Sequence, residues 1–176
     1  MAALIPSASA TGSGTMTLAG PSTNSNQTVT IPDATGTMMV SGNMPAFSYY
    51  QSSAQTLTGS VTTKLTFTTS EFDTTGGMYA SSRFTPTIAG YYQASGGLQV
   101  ATAATIIVLY LYKNGANYKQ LVSSNPSTLS GGYGSALVYL NGSTDYIEIY
   151  ANLTTGQALN ATAPNVYFQA AMIRNA

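Results

Sequence analysis

An all-β sandwich of the jelly-roll type, led by an extended arm, is the fold this sequence predicts. Three observations predict it. Hydrophobic residues alternate at period two in one segment after another, Gly and Asn cluster between those segments, and helix signals are nearly absent. Apolar residues seldom recur at i, i+3, i+4. The strong helix formers Glu, Lys and Arg are rare, because the 176 residues include only five acidic and five basic ones.

Residues 1–44 form the predicted arm. They are rich in Gly, Ser, Thr and Ala, and their only charge is Asp33. Met16-Thr17-Leu18, Val29-Thr30-Ile31 and Met38-Met39-Val40 are short apolar pieces that cannot bury a core alone. They are too apolar for a Gly/Ser spacer, so the arm is expected to order against other chains. Val29, Ile31, Met38 and Val40 are its predicted anchors, since apolar burial is the only sizeable driving force there. The opening MAALIPSASA lacks a basic stretch, and Pro6 cuts its apolar run short. It reads as arm, not as a targeting signal. The longest apolar run, 103–112, falls far short of the ~20 residues of a spanning helix, so no membrane span is expected.

Residues 45–176 form the predicted head, with strands at 46–51, 62–69, 77–80, 83–86, 90–100, 105–113, 117–122, 133–140, 145–151 and 165–174. Leu65-Thr66-Phe67-Thr68 alternates. In Tyr146–Tyr150, Ile147 and Ile149 share one face while Tyr146, Glu148 and Tyr150 share the other. The stretch Thr105–Tyr112 is continuous and β-branched, which predicts a strand buried on both faces, one against the opposing sheet and one against a neighbouring subunit. Lys113-Asn114-Gly115, Asn141-Gly142, Gly131-Gly132, Gly96-Gly97 and Gly76-Gly77 supply tight turns. Many short strands at sandwich spacing, with no interleaved helix, predict a jelly roll.

Composition excludes much chemistry. The chain has no His, Cys or Trp. Acid–base catalysis near neutral pH, nucleophilic triads and most transition-metal sites lean on His or Cys. The carboxylates Asp33, Glu71, Asp73, Asp145 and Glu148 form no persuasive catalytic pair, so neither an enzyme nor a cofactor is expected. A two-carboxylate glycosidase is a remote alternative, because Glu71 and Asp73 sit on one short segment instead of flanking a cleft. At i, i+2 on an extended strand these two share a face, which makes them weak calcium candidates beside the alternative of a solvated loop just after a strand. Asp145 and Glu148, at i, i+3, face opposite sides. Lys64 and Arg83 are expected to pair with Glu71 or Asp73, and Lys113 to keep its charge in water. Five scattered basic residues cannot track phosphates, so no nucleic-acid partner is expected. Without Cys, packing or oligomerisation must stabilise the fold. Four Asn-x-Ser/Thr sequons begin at Asn26, Asn141, Asn152 and Asn160, a number that abundant Ser and Thr produce by chance. Among the 13 Tyr, Tyr91, Tyr92, Tyr110 and Tyr112 are assigned to packing, together with Phe47, Phe67, Phe84 and Phe168. Tyr118 and Tyr133 are the candidates for a receptor surface.

From Pro45 to Arg174 the motifs follow a recognisable order. Ala46-Phe47, Leu65-Thr66-Phe67, Phe84-Thr85 followed by Gly90-Tyr91-Tyr92, and Leu111-Tyr112-Lys113-Asn114-Gly115 come first. Gly134-Ser135-Ala136 leading to Leu140, Tyr146-Ile147-Glu148-Ile149 and Phe168–Ile173 follow. Together they resemble the C1q/tumour-necrosis-factor-like family of trimeric jelly rolls. Asn141–Asp145 stands where that pattern has Gly-Asp, Pro86 is one position early, and Ala170 replaces a Gly. The resemblance implies a homotrimer. Gly14–Pro21 and Thr30–Thr37 are similar to segments that precede the distal domains of bacteriophage tail-fibre proteins, and Arg83-Phe84-Thr85-Pro86 with Ala89-Gly90-Tyr91-Tyr92 resembles C1q-like modules of such proteins. This second resemblance implies a non-enzymatic structural protein at the virion surface, assembled in the host cytoplasm. Its arm would dock on another virion protein. Its head would bind a host-surface glycan or protein, as in a tail or head fibre, or decorate and stabilise the capsid. The alternative is a secreted C1q-like ligand or carbohydrate-binding module.

Overall fold

The computed structural model describes residues 17, 20, 22, 24–26, 39–102, 106–124 and 131–176. The chain divides into two compact units, Met1–Thr35 and Gly36–Ala176. The expected anchors Val29, Ile31 and Met38 lie outside the described residues, whereas Val40 is exposed. Met39, beside it, packs on the core of the second unit.

Thirteen strands are found among the described residues, all in the second unit: β1 Ala46–Tyr50, β2 Thr56–Leu57, β3 Thr63–Lys64, β4 Thr69–Asp73, β5 Tyr79–Ala80, β6 Arg83–Phe84, β7 Gly90–Gln99, β8 Ile107–Lys113, β9 Ala116–Ser124, β10 Gly131–Leu140, β11 Ile147–Leu153, β12 Gln157–Ala158 and β13 Tyr167–Asn175. The first sheet runs β10-β7-β13-β1-β4 and the second β5-β6-β11-β8-β9, with β3 also on β11 and a small β12-β2 ribbon. Every pairing is antiparallel. The chain crosses repeatedly from sheet to sheet, so sequence-distant β1 and β13 become neighbours. This is jelly-roll connectivity.

The period-two pattern accounts for the core. Tyr92, Ala94 and Leu98 of β7 point inward, as do Leu109 and Leu111 of β8, Ile147, Ile149 and Ala151 of β11, and Phe168 of β13, and all are fully buried. An aromatic cluster closes one part of the sandwich, with the Phe47 ring 4.9 Å from Phe84, 4.7 Å from Tyr79 and 5.0 Å from Phe168. Each such ring contributes roughly 2–3 kcal/mol of apolar burial. The two sheets meet at β9 and β10, where a Cβ on Gly134 would lie 2.5 Å from the Leu121 carbonyl oxygen. Only bare backbone fits that approach.

Turn chemistry follows the sequence at Asn114-Gly115, where both residues take positive φ, 53° and 78°, and close the β8–β9 hairpin. The β5–β6 hairpin uses Ser81-Ser82 instead, at φ 51° and 57°, without any glycine. Two expectations need correction. The single strand at 62–69 is split into β3 and β4, so Glu71 and Asp73 lie in an edge strand and not in a loop after it. The β2–β12 ribbon is additional. In the single chain β8 buries Ile107, Leu109 and Leu111 against the opposing sheet, as expected, while Val108, Tyr110 and Tyr112, on the outer face where a neighbouring subunit is expected, are half-buried.

Candidate functional site

Two outward faces concentrate the chemistry of the second unit. The first belongs to the β10-β7-β13-β1 part of the first sheet. Alternation turns Tyr133, Leu137 and Tyr139 of β10 outward, with Tyr91 of β7 and Ile173 of β13. Leu137 is 55 % exposed, Ile173 53 % and Phe72, on neighbouring β4, 51 %. The outer face of a lone antiparallel sheet is ordinarily polar. Here these four strands carry a single charged residue, Arg174, whose guanidinium lies 5.9 Å from the Tyr91 ring. Tyr91 and Tyr139 sit opposite each other, 5.4 Å apart. The Tyr133 and Tyr167 rings lie 6.2 Å apart at 16°. They bracket Gly97, whose missing side chain leaves their space free, since a Cβ there would fall 2.4 Å from Tyr133 Cδ1. The result is a flat apolar and aromatic patch of the kind that marks association surfaces.

The second face lies on the other sheet and is built around Glu148. This carboxylate, 2 % exposed, accepts hydrogen bonds from Lys64 Nζ at 2.7 Å and Arg83 Nε at 2.8 Å. Burial alone would push its carboxyl up, but the hydrogen bonds and charges of Lys64 and Arg83 outweigh that and hold it below the usual range. The Arg83 guanidinium lies 3.9 Å from the Tyr146 ring. Tyr112 and Tyr150 stack on each other at 4.0 Å, so their ring faces are turned to one another.

The remaining carboxylates are held structurally. Asp145 accepts from Asn114 Nδ2 at 2.7 Å and from the Asn141 backbone N–H at 3.1 Å, and Lys113 Nζ lies 2.8 Å away. The Asn114 hydrogen bond, then Lys113, lower its carboxyl from the ordinary value. This ties the β10–β11 turn to the β8–β9 hairpin. Lys113, expected in water, is therefore paired, and it also donates to the Tyr139 carbonyl at 2.7 Å. Lys64 and Arg83 pair with Glu148, not with Glu71 or Asp73, because β3 and β6 both lie against β11. A bulge in the β1–β4 register gives Glu71 and Asp73 separate partners. Ser48 Oγ donates to Glu71 at 2.6 Å, while the hydroxyl of Tyr49, which points to the opposite side of β1, donates to Asp73 at 2.8 Å. Among the described residues no three His, Cys, Asp or Glu gather as a metal-ligand group.

Phe47, Phe67, Phe84, Tyr92 and Phe168 are buried. Tyr110 and Tyr112 lie on the outer face of the second sheet, outside the core, and Tyr91, also assigned to packing, is 44 % exposed. Tyr118 sits exposed on β9 and Tyr133 on β10, in different sheets. Sequence reasoning missed Leu137, Tyr139, Ile173 and Glu148. The signal for the first two is that both alternating sets of 137–140 are apolar.

No protein-family model matches this sequence, and no curated protein matches it. Solved structures do. The globular domain of zebrafish complement 1qA matches with a TM-score of 0.55 and 14% identity, covering 75% of this chain and 98% of that one. Murine APRIL matches with a TM-score of 0.53 and 12% identity over 74% of this chain and 99% of that one. The tumour-necrosis-factor protein Eiger from S. frugiperda matches with a TM-score of 0.53 and 10% identity over 76% and 95%. At such identities the likeness is one of fold. The head is a C1q/TNF-like jelly roll.

Proposed function

We propose that this chain is a non-enzymatic structural protein of a bacteriophage particle, a homotrimer whose arm attaches to another virion protein and whose head is exposed. The observation that carries the homotrimer is the nearly uncharged outer face of β10-β7-β13-β1. Leaving Tyr91, Tyr133, Leu137, Tyr139 and Ile173 in water is unfavourable for a soluble head, and a C1q/TNF-like jelly roll that associates through this face removes the penalty. The fibre-like segments at 14–21 and 30–37 support the placement of the arm on a particle. The head then serves host-surface binding or capsid decoration.

Deletion of residues 1–44 tests the particle role. Mutant particles should lack the head. Lost adsorption with intact particles supports host binding, and lost particle stability supports decoration. Unchanged incorporation contradicts the proposal. The fold shared with complement 1qA and APRIL favours a second reading, a secreted ligand. That reading predicts soluble trimers with no particle association.

A further inference from the structure

We propose that the groove beside Lys64 and Arg83, on the outer face of the second sheet, binds the carboxylate of an acidic sugar in a cell-surface glycan. The inference rests on the host-binding form of the function proposed above. Association through the first sheet leaves this opposite face open.

The groove has a volume of about 430 Å³, and Lys64 and Arg83 border it together with Gly77, Met78, Ala80 and Ser81. That size is ordinary for a small-ligand site. Its charge is set by position. Glu148 lies beneath, 2 % exposed, while the Lys64 and Arg83 side chains above it are 28 % and 44 % exposed. One buried carboxylate facing two cations leaves a net positive charge, and the positive groups are the ones that meet water. In a chain with five basic residues, two converge here.

Arg83 is held in a fixed pose. Its Nε is bound by Glu148 and its plane lies against Tyr146. Its two terminal nitrogens have no hydrogen-bond partner among the described residues. A guanidinium fixed on one edge and free on the other offers the parallel N–H pair that a planar carboxylate accepts. Lys64 Nζ spends two donors, on Glu148 and on the Ser81 carbonyl at 2.9 Å, and keeps a third. The Ser81 carbonyl is placed by the strained Ser81-Ser82 turn. That turn is held because the buried Ser82 hydroxyl accepts the Phe67 N–H at 2.8 Å. Backbone strain persists only where surrounding contacts fix it.

Ligand class follows from charge and surroundings. A nucleic acid needs a track of cations, and only two are here. A phosphate monoester brings a charge near −2, which a net charge of one does not balance. A monovalent carboxylate does balance it. The backbone carbonyls and hydroxyls of Ser81 and Thr85 suit the hydroxyls of a sugar ring.

The test is a glycan array probed with the full-length protein. It carries carboxylate-bearing sugars, the same sugars with carboxyls reduced to alcohols, and phosphodiester-linked glycans. Binding is expected on the carboxylate-bearing members alone. Arg83→Gln should weaken it about tenfold, the loss of a charge-assisted pair, with Arg83→Lys intermediate. The double variant Arg83→Gln/Glu148→Gln keeps the net charge of the groove and should show the same loss of binding, measured well below its lowered melting temperature. Equal binding to the reduced sugars, undiminished binding by Arg83→Gln, preference for phosphodiesters, or no retention of any acidic sugar would each overturn the proposal. Light scattering on the same samples separates the readings. A trimer that ignores acidic sugars overturns the groove alone, and a monomer that binds them overturns the assembly alone.

Discussion

Glu148→Gln is the perturbation whose size and pH dependence can be worked out most fully. The substitution keeps the shape of the side chain and one oxygen acceptor but removes the charge that Lys64 and Arg83 share. Two hydrogen bonds, at 2.7 and 2.8 Å, change from charge-assisted to singly charged. Both bonds still run to a cation, so what each loses is the ion-pair attraction, which contributes up to about 1 kcal/mol for exposed pairs and more where one partner is buried. The difference is therefore about 1 kcal/mol per bond, reduced because both cations are partly in water. The expected loss at pH 7 is about 1–2 kcal/mol, or several degrees in Tm for a head of this size. Its pH dependence has a fixed sign. The Glu148 carboxyl is held below its ordinary value in the folded chain. Its contribution is thus complete above the unfolded pKa of about 4.3 and is lost as pH falls through the lower, folded value. Urea unfolding followed by tyrosine fluorescence, at one protein concentration and 0.15 M salt, should show the full difference at pH 7 and a shrinking one below pH ~4. An equal difference at pH 3 and pH 7, or none at pH 7, refutes the reasoning.

Three further outcomes are expected. Phe47→Ala, which empties the centre of the aromatic cluster, should lower head stability by about 3–5 kcal/mol in the same unfolding assay. Receptor or particle binding should be unchanged in EDTA, since the Glu71 and Asp73 carboxylates are engaged by Ser48 and Tyr49; loss of binding in EDTA would make them calcium ligands after all. A chain beginning at Met44 should melt cooperatively and keep its association state, because all thirteen strands found among the described residues lie beyond that residue; aggregation of that chain contradicts the two-part organisation.

The strands that span the sandwich were legible because their burial follows a local period. β8, β11 and β13 show it, and Asn114-Gly115 marks a turn that backbone sterics require. Thr56-Leu57 and Gln157-Ala158 were not legible, because two residues carry no period and pair only with each other. The β1–β4 bulge is equally hidden. It breaks the i, i+2 rule at Glu71 and Asp73, and nothing local announces it. Ion pairs were misassigned for a related reason. Glu148 meets Lys64 and Arg83 across 84 and 65 residues of sequence, so only the order of strands around β11 decides the pairing. The apolar outer face of the first sheet was half legible. Tyr133, Leu137 and Tyr139 alternate with Val138 and Leu140, and a strand apolar on both sides needs cover on both.

The central claim, that the nearly uncharged face of β10-β7-β13-β1 joins three chains, is tested most directly by the mass of the protein in solution. Light scattering at micromolar concentration should give three times the 18.2 kDa chain mass for the wild type. Leu137→Asp should give 18.2 kDa with little change in head melting. This side chain is 55 % exposed in the single chain, so its burial, worth roughly 2 kcal/mol, comes only from association. A wild-type mass of 18.2 kDa, or a Leu137→Asp variant with the wild-type mass, would contradict the account.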